Sequence, residues 1–429
     1  MIDLFGQQSS PSLRWQQPVD QPLGIAKLSK MAFDGVDLAP LHSQLLDKYI
    51  FEPDNAAALL DLAVIEQLFG NEHDGVARQS EALTMRQVFH TPCSVEKPAL
   101  RLLALAAPGD VGNNTPLDFL LDGSDIALST LYIVPGQNLP NPLPEHDLAI
   151  VTACEADGNR AVLGELERLL PSWPKPVLNM PEQIGALSRE RLHKLVKGVS
   201  GLVMPATVRI DRTTLSEIAT GRVQLTTYLS DGAFPLIVRP LDSHAGRGLQ
   251  KIDDAAALTR YLAERQERGF YISRFVDYRS PDGLFRKYRV VFIAGQPYAC
   301  HMAIADQWMI YYLNAGMAES PAKKIEEERF MTGFDIEFAK RHQAALAGIA
   351  DRVDLDYFGV DCAQTAEGSL LLFEADIAMI VHNMDSPTVF PYKVTQMRKL
   401  FADFAAMLKD CARRPSANGR PSAKKLSVA

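Results

Sequence analysis

The feature that most limits how this chain can fold is a stretch near its C-terminal end in which carboxylates interrupt apolar runs. Residues 357–364 and 370–376 are apolar enough to form two buried strands, and a turn at residues 365–368 joins them. Glu374 and Asp376 are two residues apart, so the alternation of a strand places both on one face. The flanking apolar runs disfavour a hairpin solvated on both faces, and we expect these carboxylates to line a site.

The register of this hairpin adds a third carboxylate. With the turn centred on residues 366–367, Asp361 opposes Leu372 and lies diagonal to Glu374 on the same face. Carboxylates that share an apolar face repel one another, so a positive group must lie among them. Oxygen ligands suit Mg²⁺, whose coordination substrate phosphates often complete. We therefore predict a magnesium site at Asp361, Glu374 and Asp376; the alternative is an acidic strand that faces solvent.

A glycine-containing loop is the second candidate for chemistry. An apolar strand ends at Arg239 and leads into a loop that contains Ser243, Gly246 and Gly248. Glycines let backbone N–H groups approach phosphate oxygens closely, and the arginine supplies positive charge. A surface turn with a solvated arginine would show the same pattern, so the phosphate interpretation depends on the segments that follow.

Three later segments agree with a nucleotide site. Residues 270–276 form a short strand whose backbone and apolar side chains suit an adenine ring. Residues 287–294 and 297–304 read as two strands around a tight turn, with Arg289 on the first. The carboxylate hairpin is the third.

The chain before residue 186 has two parts that differ in their sequence pattern. Between residues 98 and 185, short apolar runs alternate with helical stretches, which predicts a parallel α/β layer. The loop at residues 108–114 follows the first strand, where open α/β sheets bind ligands, but it has no GxGxxG pattern, so a dinucleotide site gains little support. Residues 31–95 have the periodicity of helices, including one at residues 74–89, and residues 1–30 read as an arm.

Composition excludes several classes of protein. With 47% hydrophobic and 22% charged residues the chain can bury a core, and a net charge of -8 argues against nucleic-acid binding. Five cysteines without a CxxC pair fit reduced thiols, and neither a signal sequence nor a membrane span is evident. We expect a cytoplasmic protein with no membrane or nucleic-acid partner, and a disordered basic tail at residues 411–429.

The order of these motifs resembles the ATP-grasp superfamily, specifically its RimK-like and glutathione-synthetase-like ligases, over about residues 98–405. With its helices, which resemble one tetratricopeptide unit, the chain is similar to bacterial proteins that join such a segment to an ATP-grasp domain. The resemblance implies an α/β (α+β) fold. It would consist of a helical N-terminal segment, a parallel α/β pre-ATP-grasp domain at residues 98–185 and a two-subdomain ATP-grasp fold at residues 186–410.

The resemblance also implies roles for particular residues. Asp361 and Glu374 match the family's magnesium ligands, and Asp376 replaces the usual asparagine of Glu-x-Asn. Arg239 and Arg212 stand where the family has phosphate-binding lysines. The expected ATP-binding set is Arg212, Arg239, Ser243, Gly246, Gly248, the hinge residues Arg274, Phe275 and Val276, and Leu372.

The implied activity is an ATP-dependent carboxylate–amine ligation through an acyl phosphate, with ATP and Mg²⁺ as cofactors. Arg289 and Arg239 would act in catalysis, although Lys287 replaces the aspartate that the family has two residues before its arginine. The substrates would be a small-molecule or peptide carboxylate and an amine. Two alternatives are an ATP-grasp-type small-molecule kinase and an ATP-binding interaction protein whose helical N-terminus binds a protein or peptide partner.

Overall fold

The computed structural model describes residues 21–91, 93–241 and 246–413, and shows a mixed α/β protein with three sheets. Ser243 and most of the predicted tail lie outside these residues. Within them, no helix has the length and apolarity needed to cross a membrane.

Four helices form a unit at the N-terminal end with its own core, which includes Leu28, Leu59 and Leu62. Their bounds are Ile25–Phe33 (α1), Ala39–Phe51 (α2), Ala56–Leu68 (α3) and Glu72–Met85 (α4). Helix α1 begins inside the predicted arm because Leu28 is fully buried in this core. The side chain of Asn55 caps α3 by accepting a hydrogen bond from the Ala58 N–H at 3.0 Å.

A five-stranded sheet follows, in the order β1-β3-β2-β4-β5. Its strands are Val88–His90 (β1), Leu100–Ala106 (β2), Ile126–Tyr132 (β3), Leu148–Val151 (β4) and Val177–Leu178 (β5). Strands β2 to β5 are parallel, as the sequence predicts, and β1 is antiparallel to β3. The helix predicted at residues 74–89 is therefore too long, because α4 ends at Met85. Phe89 instead pairs with Thr130 in the sheet, and its side chain is buried. The associated helices are Leu117–Leu120 (α5), Arg160–Leu169 (α6), Pro181–Gly185 (α7) and Arg189–Leu195 (α8).

A four-stranded antiparallel sheet, here the small sheet, has the order β7-β10-β8-β9. Its strands are Thr207–Asp211 (β7), Leu236–Pro240 (β8), Gln250–Ile252 (β9) and Gly269–Arg274 (β10). Helices Arg212–Ala219 (α9) and Ala255–Ala263 (α10) cover it and form a separate core with it. The preceding strand, Leu202–Val203 (β6), belongs to the third sheet.

The third sheet, here the large sheet, has the order β12-β11-β13-β14-β6. Its remaining strands are Phe285–Ile293 (β11), Gln296–Ala305 (β12), Tyr357–Gln364 (β13) and Leu370–Asp376 (β14). The helices against it are Pro321–Thr332 (α11), Phe338–Arg341 (α12), Gln343–Val353 (α13) and Pro391–Arg413 (α14). Helix α14 includes the first three residues of the predicted tail, because Cys411 is fully buried in the core.

The large sheet and the α/β sheet share one continuous core, and Asn179 joins them. Its side chain accepts hydrogen bonds from the N–H groups of Asp356 and Tyr357, each at 3.0 Å, and donates to the Tyr357 carbonyl at 2.8 Å. Asn179 is fully buried, so these bonds fix the end of β5 to the start of β13.

The five cysteines are all free thiols. Four are buried, and Cys93 is half-buried. Cys93 lines a cleft of about 680 Å³ between α1 and the α/β sheet, together with Lys27 and Asp118.

Candidate functional site

The large sheet carries a row of three charged residues across adjacent strands. Asp361 on β13 pairs with Arg289 on β11 and with Glu374 on β14. The predicted pairing of Asp361 with Leu372 is wrong, since Leu372 pairs with Cys362. The turn is shifted by one residue, and a β-bulge between Asp361 and Cys362 then brings Glu374 directly opposite Asp361.

Asp361 is buried, and protein cations contact both of its oxygens. Arg289 donates from Nε to Oδ1 at 2.8 Å and from Nη2 to Oδ2 at 3.1 Å, and Lys287 Nζ donates to Oδ2 at 3.0 Å. Burial alone would raise the pKa of Asp361, but Arg289 and Lys287 hold it well below its usual range. The sequence predicts a positive group among these carboxylates, and Arg289 and Lys287 provide it at Asp361.

Glu374 is paired in the same way from the other side. Arg189, the first residue of α8, makes a short contact with Glu374 Oε2, and Arg239 Nη1 lies 4.0 Å from the same oxygen. Although burial opposes it, the pKa of Glu374 is lowered by Arg189 and Arg239. Burial and the neighbouring Arg189 lower the pKa of Arg239 to about 10.

Asp376 lies further along β14 and does not line the cavity that Asp361 and Glu374 share. Its Oδ1 accepts a hydrogen bond from the Ala378 N–H at 3.0 Å. Across the described ranges, no three Asp, Glu, His or Cys side chains form a group able to hold a metal ion. Asp361 and Glu374 nevertheless fit Mg²⁺ as donors, because they are hard oxygen ligands on neighbouring strands and this ion often needs only one or two carboxylates.

The small sheet also has a row of polar residues across adjacent strands. Tyr271 on β10 pairs with Arg209 on β7 and with Arg239 on β8. Arg212, the residue predicted from this segment, does not line the cavity; its guanidinium donates to the carbonyls of Leu262 and Glu267. On β7, the cation in the same row as Arg239 is Arg209. Strand alternation in the sequence could have indicated Arg209 instead of Arg212.

A cavity of about 420 Å³ lies between the two rows. Its wall beyond the charged end is apolar and includes Met204, Phe275, Val276, Trp308 and Leu372. The rings of Phe275 and Trp308 meet edge to face, with centroids 5.8 Å apart. The structure thus brings the predicted hinge residues Arg274, Phe275 and Val276 and the predicted Leu372 into one cavity with Arg239, Arg289, Asp361 and Glu374.

The described part of the glycine loop closes over one side of this cavity. Gly246 lines it and has a φ of +67°, and a Cβ there would lie 1.7 Å from Tyr311 Oη. Only glycine fits this position without displacing Tyr311. Gly248 does not line the cavity; its φ is +70° and its carbonyl accepts a hydrogen bond from Tyr261 Oη at 2.7 Å.

The loops that follow β2 and β4 meet at the carboxyl ends of these two strands. The Cys154 N–H donates to the Asn113 carbonyl at 2.9 Å, which joins the loops that follow these two strands. Burial, and then the nearby charges of Asp376 and Asp110, raise the pKa of Cys154. Burial and the charge of Asp157 raise the pKa of Glu155 to about 7.

Arg189 and Lys287 line the cavity and are functional candidates that the sequence alone did not indicate. In the sequence, Lys287 stands out only because it replaces the aspartate of a family motif. Arg189 meets Glu374 across 185 residues of chain and belongs to no recognisable pattern. The folded arrangement places Arg189 beside Glu374 and Lys287 beside Asp361, whereas Arg209 pairs with Asp157 and does not line the cavity.

Comparison with known proteins gives structural likeness alone. No protein-family model matches the chain, and no curated protein matches it. A D-alanine–D-alanine ligase from Bacillus anthracis, solved with ATP, is 14% identical with a TM-score of 0.43, covering 73% of this chain and 97% of its own. A D-Ala:D-Ser ligase from Enterococcus faecalis is 13% identical with a TM-score of 0.45, covering 72% and 99%. A RimK-domain ATP-grasp protein from Sphaerobacter thermophilus is 16% identical with a TM-score of 0.38, covering 72% and 99%.

Proposed function

We propose that this chain is an ATP-dependent carboxylate–amine ligase of the ATP-grasp type, which forms an amide or peptide bond through an acyl phosphate. One observation carries the proposal. A single cavity has an apolar, aromatic wall at one end and, at the other, four cations around two facing carboxylates: Arg189, Arg239, Lys287, Arg289, Asp361 and Glu374. This polarity matches a nucleotide, which is apolar at its base and polyanionic at its phosphates.

The apolar end would hold the adenine ring. Leu372 and Phe275 would contact its faces, and the backbone of residues 274–276 would meet its polar edge. Arg239 and Gly246 would contact the phosphates, the first by its charge and the second by its open backbone. Arg189 is placed to contribute a further cation.

Asp361 and Glu374 would hold Mg²⁺, whereas Asp376, the third ligand predicted from the sequence, lies outside the cavity that these two share. The bound ion would neutralise charge on the phosphates during transfer. Nucleotide phosphates would also give Lys287 and Arg289 a second anionic partner besides Asp361. These two side chains can therefore hold phosphoryl and acyl oxygens without leaving a buried charge unpaired.

The proposed chemistry has two steps. A carboxylate oxygen of the first substrate bonds to the γ-phosphorus of ATP, and the bond from that phosphorus to ADP breaks. The amine nitrogen then bonds to the acyl carbon, inorganic phosphate leaves with one former carboxylate oxygen, and the nitrogen loses a proton. Arg289 would stabilise the acyl oxygen as charge builds on it, so the chain contributes position and electrostatics.

Two further parts of the proposal concern the rest of the molecule. The helical unit would be tetratricopeptide-like, and the protein would act in the cytoplasm, where its free cysteines stay reduced. Its substrates would be small molecules or peptides.

Isotope transfer tests this function. The full chain is incubated with ATP, Mg²⁺ and a panel of carboxylates and amines, and ADP release identifies an active pair. With ¹⁸O in the carboxylate of that pair, we expect label in the released inorganic phosphate. A stable phosphorylated product, with no label in phosphate and no need for an amine, would instead show a kinase.

A further inference from the structure

One wall of the cavity is a short segment that leaves β12 without regular secondary structure. This segment, residues 306–312 and here the strap, lines the cavity with four consecutive residues, 308–311. The next residue, Tyr312, does not line the cavity. Its side chain contacts the large sheet and its helices instead, so the strap has one side towards the cavity and one anchor behind it.

The Tyr312 hydroxyl enters a buried polar network. It donates a hydrogen bond to Glu327 Oε2 at 3.2 Å and accepts a short one from Lys393 Nζ. Lys393 Nζ also lies 4.1 Å from the centre of the Tyr312 ring. Glu327 is fully buried and Lys393 is 2% exposed, so water has little access to these bonds. Hydrogen bonds in such surroundings hold their groups firmly.

The charges of this network are paired without Tyr312. Lys393 Nζ lies 3.2 Å from Glu327 Oε1 and 3.1 Å from Asp385 Oδ2. Glu327 Oε1 also accepts a hydrogen bond from the Met302 N–H at 3.1 Å. A buried charge is costly only when it lacks a partner, and here each has one. The Tyr312 hydroxyl therefore adds a connection to the strap rather than a counter-charge.

The strap has few other attachments. Tyr278 Oη donates a short hydrogen bond to the Trp308 carbonyl at the end of the strap near β12. Met309 and Leu313 are exposed, the latter to 83%, so little packing holds the strap from its outer side. The position of its cavity-lining residues therefore depends on the two ends, Trp308 and Tyr312.

We propose that Lys393 and Glu327 are positioning residues for the nucleotide, and that they act through the Tyr312 hydroxyl to hold the strap against it. This inference rests on the proposed function, because the nucleotide would occupy the cavity that the strap lines. Neither Lys393 nor Glu327 lines that cavity, so their effect on a ligand must pass through the strap. A strap that is already in place needs no ordering when the nucleotide binds, which favours binding.

Two tyrosines of the network separate positioning from stability. Tyr312→Phe removes the hydroxyl and keeps the ring, and it leaves Lys393 paired with Glu327 and Asp385. Tyr392→Phe is the matched control. The Tyr392 hydroxyl donates to the same Glu327 Oε2, at 2.7 Å, but Tyr392 belongs to α14 and not to the strap. Both variants thus lose one hydrogen bond to the same carboxylate, and only one of them releases the strap.

Amide exchange in the full chain without nucleotide measures the strap directly. We expect Tyr312→Phe to raise exchange in residues 309–313 by about fivefold, which corresponds to the loss of one net hydrogen bond. Tyr392→Phe should leave exchange in these residues at the wild-type rate. Equal exchange in Tyr312→Phe and the wild type would overturn the inference.

Calorimetric binding of Mg-ATP gives the second measurement. We expect Tyr312→Phe to weaken binding by about threefold to fivefold, because the fraction of molecules with the strap in place falls, and Tyr392→Phe to stay within about twofold of the wild type. Adding Glu327→Gln to Tyr312→Phe should weaken binding no further, since both changes act on the same bond. Equal weakening in the two tyrosine variants would show a role in stability alone and contradict positioning.

The same measurements distinguish this inference from the proposed function. Weaker Mg-ATP binding in Tyr312→Phe, with no amide formed by the wild type from any pair of substrates, would count against the ligase assignment and support the inference. Normal ligation by the wild type, with unchanged Mg-ATP binding in Tyr312→Phe, would do the reverse. A wild-type chain that does not bind Mg-ATP would contradict both.

Discussion

Asp361 and Glu374 face each other on neighbouring strands, yet their removal should have different consequences. Asp361→Asn removes the carboxylate to which both Lys287 and Arg289 donate, so we expect a loss of about 3–5 kcal/mol of unfolding free energy. The Glu374 side chain is 34% exposed, and Glu374→Gln should cost about 1 kcal/mol or less. Both variants should lose Mg²⁺-dependent ATP turnover.

Urea unfolding together with turnover measures both effects. Equal stabilities for the two variants would contradict the pairing of Asp361 with Lys287 and Arg289. Near-normal turnover in either would contradict its role as a magnesium ligand.

Glu155 gives a prediction about pH. Its pKa is raised from an ordinary 4.5 to about 7, first by burial and then by Asp157, so the folded protein favours the protonated carboxyl. As the pH rises from about 4.5 to about 7, the unfolded chain loses this proton more readily than the folded one, and the wild type loses stability. Glu155→Gln has no such proton and should be more stable than the wild type by about 1–3 kcal/mol at pH 8.

The two proteins should be nearly equally stable at pH 4.5. Urea unfolding of both at several pH values provides the check. A difference that does not grow between pH 4.5 and pH 7 would show that Glu155 ionises normally in the folded protein.

Single residues were predictable from sequence where strand alternation governs them. Asp361, Glu374, Arg289 and Leu372 reach the cavity because they occupy alternating positions on strands that the sequence identifies. Arg189 escaped prediction because its partner is set by tertiary packing. Glu327 illustrates the same limit: a run of three glutamates is typical of an exposed helix, yet Glu327 is fully buried and lies 3.2 Å from Lys393 Nζ.

At the scale of elements, Gly75 decides how closely α3 and α4 approach. A Cβ at this position would lie 2.6 Å from the Ala63 carbonyl oxygen and 2.5 Å from Gln67 Cγ. Helix propensity alone predicts that Gly75→Ala stabilises the helix by up to about 1 kcal/mol. Because the methyl group meets backbone, we expect the opposite sign, a loss of about 1–3 kcal/mol.

Thermal unfolding of Gly75→Ala measures that sign. Gly164→Ala, on α6, is the control, since a Cβ there meets no atom within 4 Å and should stabilise. A stabilised Gly75→Ala would mean that the two helices are not in this close contact.

The sequence predicted which segments are helices and strands better than it predicted where they end or in which register the strands pair. Apolar runs and turn residues located the strands of the large sheet, and the parallel order of the α/β sheet was predicted correctly. The end of α4 was not, because Val88–His90 has a partner in β3 that periodicity does not show. The register of β13 and β14 was also wrong, since a bulge depends on backbone geometry rather than on residue type.

For the whole molecule, the side chain of Asn179 links the α/β sheet to the large sheet by hydrogen bonds. Asn179→Ala would remove the side-chain oxygen that accepts from the N–H groups of Asp356 and Tyr357, at a cost of about 2–5 kcal/mol in total. We expect unfolding to change from one transition to two, because the α/β sheet would no longer be fixed to β13.

Circular dichroism and intrinsic fluorescence, followed through the same urea titration, test this prediction. Asn71→Ala is the control, because the Asn71 side chain donates to Glu66 Oε2 at 3.0 Å within the helical unit. Coincident transitions in Asn179→Ala would show that the shared apolar core suffices to hold the sheets together.

The uneven burial of the thiols makes this protein suited to site-specific labelling without engineering. A bulky maleimide dye should react first at Cys93, since Cys154, Cys300, Cys362 and Cys411 are buried. The dye would then sit in the cleft between α1 and the α/β sheet, at the junction of the helical unit with the rest of the chain. Its emission would report directly on whether that junction opens when substrates arrive.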